Sequence, residues 1–151
     1  MKLSNKGRYA MRALFDIAFY NEGKPTQVKE IADRQAIPPR FLEQIFQDLK
    51  RAGIVVSKRG PQGGYSLARP AGQIQLSEVV VALEGPIVLG EKPRAPRLTA
   101  DDARYVTESI LRDLSSQVER CFAGVSLNDM CLRADELGLP RPGARRYVYS
   151  I

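Results

Sequence analysis

A chain of 151 residues, 44% hydrophobic and 26% charged, is sized for one domain with its own core, or for a small domain with a dimerising arm. It holds no histidine and only two cysteines, which removes Ser-His-Asp and Cys-His catalysis and leaves too few thiolates for a four-cysteine metal site within one chain. The formal charge of +6 is uneven: residues 1–70 carry 13 Lys/Arg against 6 Asp/Glu, residues 71–151 carry 10 against 11, and the first half therefore has the footprint of a module that neutralises phosphates.

The longest apolar run, 79–83, spans five residues, too short for a membrane span or a signal-peptide core, so a cytoplasmic protein with no membrane partner is expected. No Gly-rich phosphate loop opens a helix and no carboxylates pair in a recognisable way, so an enzyme is not expected. Residues 4–20 predict an amphipathic helix capped by Ser4, with Ala10, Ala13, Leu14, Ile17 and Ala18 on one face. Gly23 and Pro25 close it. Thr26 is expected to cap a short second helix through Arg34, with Val28, Ile31 and Ala32 inward. After a turn over 35–38, a third helix starts near Pro39 and stops at Gly53, with Phe41, Leu42, Ile45, Phe46 and Leu49 as its buried stripe. Its outward face carries Arg40, Glu43, Gln44 and Gln47, long enough to reach base edges in a major groove.

Two strand-like runs, 53–58 and 65–68, flank Arg59-Gly60-Pro61-Gln62-Gly63-Gly64-Tyr65. Gly63 and Gly64 are expected to supply the positive φ of a tight tip, and Pro61 stiffens it. Lys58 and Arg59 place cations at its edge, and Tyr65 can anchor the returning strand. Two helices followed by a basic hairpin describe a winged helix-turn-helix, a shape that reads DNA. Taken alone, the same charges could form a solvated face with no partner.

Beyond a break at 70–73, Ser77 is expected to cap a helix over 78–84. Residues 86–98 read as an exposed loop, with Pro93 and Pro96 and few apolar side chains. Thr99 and Asp102 resemble a capping box that opens a long helix over 100–122, on the order of 35 Å long. Val106, Ile110, Leu111, Leu114, Val118 and Cys121 form one apolar stripe along it, expected to meet its own copy across a two-fold axis. Ser126 caps a last helix over 127–137, with Leu127, Met130, Leu132 and Leu137 apolar, and a basic tail follows. The expected fold is mainly α with a small β-hairpin: a winged-helix domain over 1–85, a loop over 86–98, dimerisation helices over 99–137 and a tail over 138–151.

The segments 1–10, 41–45 and 59–65 resemble the Rrf2 family of bacterial winged-helix transcription regulators, and 111–114 with 125–127 look like that family's dimerisation region. The resemblance implies a homodimer on double-stranded DNA with a dyad-symmetric operator; with the helix-turn-helix, the wing and the basic first half, a repressor is expected. The third helix would lie in the major groove, with Arg40, Glu43 and Gln44 as base readers, and Arg59 would enter the minor groove. Lys6, Tyr9 and the backbone of 60–64 would position the protein on phosphates, with Lys58, Gln62 and Tyr65 completing the contact set. Many family members sense iron–sulfur chemistry through three cysteines between the wing and the long helix. Here 89–107 has no cysteine, Glu108 stands where some members place a histidine, and Arg8 and Arg12 offer no lone pair to a metal. No cluster, metal or other cofactor is therefore expected. Cys121 and Cys131 read either as core thiols or as a redox pair on consecutive helices. A protein partner or a small ligand is the alternative input, and a pocket between the winged domain and the long helix would suit a ligand.

Overall fold

The computed structural model describes residues 2–90, 99 and 101–142; the expectations for 91–98 and for the tail from 143 lie outside the described residues. Helix α1 (Asn5–Asn21) begins at the expected cap, where Ser4 Oγ accepts from Gly7 N at 3.1 Å. The Glu84 carboxylate, from far along the chain, also accepts from Ser4 N at 2.7 Å. Ala10, Ala13, Leu14 and Ile17 are fully buried, and left-handed Glu22 (φ 53°) ends the helix.

Helix α2 (Val28–Gln35) is capped at Gln27, not at Thr26 as expected. Thr26 is buried and its groups are engaged elsewhere. Its Oγ1 donates to Lys24 O at 3.1 Å and accepts from Asn21 Nδ2 at 3.0 Å. Its backbone exchanges two 2.9 Å hydrogen bonds with Tyr65. Two non-local backbone bonds outweigh one local cap. Asp16, fully buried in α1, ties the two helices together: Arg34 Nη2 donates to it at 2.7 Å, and Gln35 Nε2 at 2.9 Å. That hydrogen bond raises the Arg34 pKa above its ordinary value.

Helix α3 (Pro39–Arg51) carries proline in its first turn and Lys50 and Arg51 in its last, where their charge favours the negative end of the dipole. Leu42, Ile45, Phe46 and Leu49 are fully buried, but Phe41 is 39% exposed and leaves the expected stripe. Its ring meets Tyr9 edge-on at 5.7 Å, on the flank of the helix rather than beneath it. Strands β1 (Val55–Lys58) and β2 (Gly64–Leu67) then pair antiparallel, from Val55 opposite Leu67 to Lys58 opposite Gly64.

A 3₁₀ turn at Ala71–Gln73 leads into α4 (Leu76–Glu84), capped at Gln75 rather than Ser77. Glu78 reaches back to accept from Gln75 N at 2.9 Å, and Arg69 Nη2 holds its other oxygen at 2.7 Å. Helix α5 (Ala103–Ala123) starts later than expected, because Asp102 is itself the cap and accepts from Arg104 N at 2.9 Å; Thr99 contributes only its carbonyl, to Asp102 N. Helix α6 (Leu127–Glu136) opens as expected on Ser126, in a reciprocal box with Asp129.

One apolar core joins α1, α2, α3, β1 and α4, and Leu127 at the start of α6 enters it. A smaller cluster of Ala18, Phe19, Cys131 and Ala134 packs α6 on α1. Among the described residues no helix is long and apolar enough to cross a membrane.

The joint between hairpin and core gives a stability prediction. Gly64 has φ +136°, and a Cβ there would overlap the Thr26 carbonyl. Gly64→Ala should cost about 3 kcal/mol in urea unfolding, since strain and overlap add. Gly60→Ala, at φ +109° but facing open space, should cost only about 1 kcal/mol. Equal losses at the two positions would show that the approach to Thr26 is not the constraint.

Candidate nucleic-acid interface

Burial of the Leu42, Ile45, Phe46 and Leu49 stripe turns the other side of α3 to solvent, since residues three and four apart share a helix face. Arg40, Glu43, Gln44 and Gln47 are all exposed on that side. Among the described residues none of them has a side-chain hydrogen bond or ion pair, so their donors and acceptors are available to a ligand. The reading set expected on this helix is thus brought together on one surface.

The hairpin beside it presents exposed Lys58, Arg59, Gly60 and Gln62. Its tip is held by Gln27 Nε2, which donates to Pro61 O at 3.1 Å, and by Gly63 N, which donates to Gly60 O at 2.9 Å. The positive φ values fall on Gly60 and Gly64, not on Gly63 and Gly64 as expected. Gly63 is buried and needs to be small for another reason: a Cβ there would overlap the Lys58 carbonyl across the turn. Tyr65 is half-buried, and its ring stacks on Phe46 at 4.4 Å and 9°. It anchors the hairpin to the core, as expected of the returning strand, and one face of its ring is already occupied.

The residues expected to touch phosphates are less free. Tyr9 is half-buried against Phe41, with the Arg12 guanidinium 5.4 Å from its ring centre. Arg12 also donates to the Gln35 carbonyl. Lys6 Nζ lies 2.5 Å from Asp48 Oδ2, and Arg51 Nη1 lies 3.1 Å from the other oxygen of the same carboxylate. The Lys6 hydrogen bond holds the Asp48 carboxyl below the usual carboxylate range. Lys50 donates to Ser57 Oγ at 2.7 Å. Sequence reading missed Asp48: its spacing to Arg51 is a local signal, but its contact with Lys6 exists only after folding.

On α5, Val106, Ile110 and Leu114 are 65%, 56% and 41% exposed, Cys121 is exposed, and Leu111 and Val118 are half-buried. Between α4 and the end of α5 lies a cavity of about 330 Å³, lined by Leu3, Val80, Pro86, Ile87, Val88 and Phe122, where a ligand pocket was expected. Both cysteines are free. Cys131 is buried under α1, and burial pushes its thiol pKa up, the reverse of what a reactive thiol needs. Among the described residues no three His, Cys, Asp or Glu converge as a metal site would require.

A helix with an unpaired polar face, set against a basic glycine hairpin, defines a winged helix-turn-helix DNA-binding protein. Residues 3–133 match the Rrf2 family, described as iron-dependent transcriptional regulators, and the chain belongs to that family. It is a DNA-binding transcription regulator, not an enzyme. The chain is 36% identical over 135 residues to the HTH-type transcriptional regulator IscR of Xenorhabdus nematophila, an alignment covering 86% of this chain and 79% of that one. Its fold is similar to that of T. potens IscR, with a TM-score of 0.75 at 34% identity, covering 93% of each chain. It also resembles CymR, the global cysteine regulator of B. subtilis, with a TM-score of 0.72 at 30% identity, covering 88% of this chain and 98% of that one.

The iron in the family's description does not fit the donors of this chain. Segment 89–107 has no cysteine, the chain has no histidine, and its two thiols sit on an exposed face and in a buried cluster respectively. The second of these has a direct check. In a Cys121→Ala variant the remaining thiol, Cys131, should resist alkylation in buffer and react once denaturant is added. Rapid labelling of the folded variant would mean that Cys131 is accessible and open to redox chemistry.

Proposed function

We propose that the protein is a cytoplasmic homodimeric repressor that binds a dyad-symmetric operator, with α3 in the major groove and the β1–β2 wing in the minor groove. The observation that carries this reading is the unpaired Arg40, Glu43 and Gln44 face on α3 beside exposed Lys58 and Arg59 on the wing. Arg40 suits the acceptor edge of guanine, Gln44 the adenine edge and Glu43 the cytosine amine. Arg59, at the wing edge, suits a narrow A·T-rich minor groove. The backbone amides of the 60–64 tip and the Tyr9 hydroxyl supply contacts to phosphates, with Gln62 beside them, and Lys6 joins them when it leaves Asp48.

In this reading residues 1–85 form the DNA-binding unit and 99–137 the dimerising helices, with α6 also bracing α1. The exposed Val106, Ile110 and Leu114 face of α5 supports self-association, because an apolar row of that length is costly in water and cheaply covered by its own copy. T. potens IscR and B. subtilis CymR, the latter named as the global cysteine regulator, support a regulatory role. The donor set supports an input other than an iron–sulfur cluster.

Titration of the protein against its own upstream DNA over a range of salt concentrations tests the interface. Arg59→Ala should weaken binding by about tenfold and lower the slope of log affinity against log salt by about 1. Unchanged affinity and slope would remove the wing from the interface. Sedimentation tests the dimer: Ile110→Glu should convert it to a monomer of unchanged helix content. A variant that remains dimeric would place the interface elsewhere.

A further inference from the structure

The cations of the DNA-facing half are not equally free. Arg40, Lys58 and Arg59 are exposed and unpaired among the described residues, whereas Lys6 and Arg51 both end on one carboxylate, that of Asp48. Asp48 lies on α3 one turn beyond Gln44, at the edge of the reading face, where it meets Lys6 of α1. The site is asymmetric. The Lys6 side chain is 34% exposed and Asp48 19%, while Arg51 reaches far into solvent at 75%.

We infer that Asp48 acts as an internal counter-charge, holding Lys6 and Arg51 off the DNA phosphates so that sequence-independent binding stays weak and the α3 reading face decides where the protein binds. The inference rests on the DNA-binding reading above and deepens it. Phosphate contacts raise affinity for every sequence alike, while base contacts discriminate. A protein that neutralised two further phosphates everywhere would bind random DNA more tightly without reading its operator better. Asp48 pairs both cations at the protein surface, so a phosphate must compete with a carboxylate for either one. The carboxyl is held in its charged form by the Lys6 hydrogen bond, so the arrangement persists across the physiological pH range. On the operator, where α3 is seated by base contacts, a backbone phosphate can compete for Lys6. On random DNA no such seating favours the exchange. Specificity is then the difference between two affinities, and Asp48 lowers the unwanted one.

The test is Asp48→Asn, which keeps the side-chain shape and removes the charge, compared with Asp33→Asn, an exposed α2 carboxylate with no side-chain partner among the described residues. Full-length proteins, shown to be folded by circular dichroism, are titrated against random-sequence duplex and against the upstream operator fragment at several salt concentrations. Asp48→Asn should bind random duplex about tenfold more tightly and steepen the salt slope by between about 1 and 2, since each added phosphate contact contributes about 0.9. Operator affinity should rise less, so discrimination falls. Adding Lys6→Gln to Asp48→Asn should remove about half of the gained slope. Asp33→Asn should give only a small rise and no change in discrimination. If Asp48→Asn matches Asp33→Asn, or binds both DNAs more weakly, the carboxylate is only a staple between α1 and α3 and the inference fails. If Asp48→Asn does not stay folded, Lys6→Gln with Arg51→Gln takes its place: a loss of random-duplex binding as large as that of Arg59→Ala would show that the two cations were never held back. Wild-type protein that retards neither duplex would overturn the DNA-binding reading itself, a result distinct from any of these.

Discussion

The pairing of Thr26 with Tyr65 is the joint on which the placement of the hairpin beside α3 depends. Two 2.9 Å backbone hydrogen bonds make Thr26 a one-residue third strand beside the hairpin. A two-stranded hairpin alone is marginal in water, so its orientation must come from such attachments. Four features converge on this one. Asn21, at the end of α1, bonds the Thr26 hydroxyl; Gln27, at the start of α2, holds Pro61; Tyr65 stacks on Phe46 of α3; and Gly64 lets the strand approach the Thr26 carbonyl. The wing is therefore indexed to the reading helix through Phe46 and to both preceding helices through Thr26. These attachments set the position of the hairpin, and with it the backbone of Arg59, relative to α3.

The same half of the chain shows that net charge overstates available charge. By composition it holds a marked excess of cations, but folding assigns several of them internal partners: Arg34 to Asp16, Arg69 to Glu78, Arg12 to a carbonyl, Lys6 and Arg51 to Asp48. The Arg34–Asp16 pair is structural, because its carboxylate is fully buried and one partner without the other would leave an uncompensated charge. The Asp48 group is different, since its cations remain near solvent and phosphates can reach them. Arg40 on α3 and Lys58 and Arg59 on the wing edge stay exposed without such a partner among the described residues.

Much of this was legible in the sequence. The apolar periods of the first and third helices, the basic hairpin and the long striped helix all appear where they were read, because each is a local pattern repeated over several residues. The misses are caps and contacts. Thr26, Ser77 and Thr99 all have capping chemistry, yet the helices begin at Gln27, Gln75 and Asp102. Which of several neighbouring polar residues becomes the cap is decided by tertiary demand: Thr26 is claimed by Tyr65, and Glu78 reaches back to fix Gln75. Phe41 looks like core by period but sits on the flank of α3, where its ring meets Tyr9 and stays partly in solvent. The positive φ expected of Gly63 falls on Gly60, and Gly63 is small for close approach instead, because close approach and backbone angle both select glycine and a sequence does not say which is at work.

The long helix is not an independent appendage. Its end turns at Gly124, and within three residues the chain is bonded to the DNA-binding unit: Leu76 N donates to Val125 O at 2.8 Å, Leu127 N donates to Ile74 O at 3.0 Å, and the Leu127 side chain enters the main core. Helix α6 then lies on α1 through Cys131 and Ala134. A rotation of α5 would therefore strain the start of α4 and the base of α1, whose capping Ser4 is held by Glu84 at the end of α4. In the proposed dimer the two reading helices must match half-sites roughly one DNA turn apart, about 34 Å, a distance set by how the α5 helices cross. Because α5 is fastened to α4 and α6, and both are fastened to α1, that crossing angle is transmitted to α3 with little compliance. An effector in the cavity beside Phe122, Pro86 and Val80 would press on that coupling and could alter operator affinity without touching any base-reading residue.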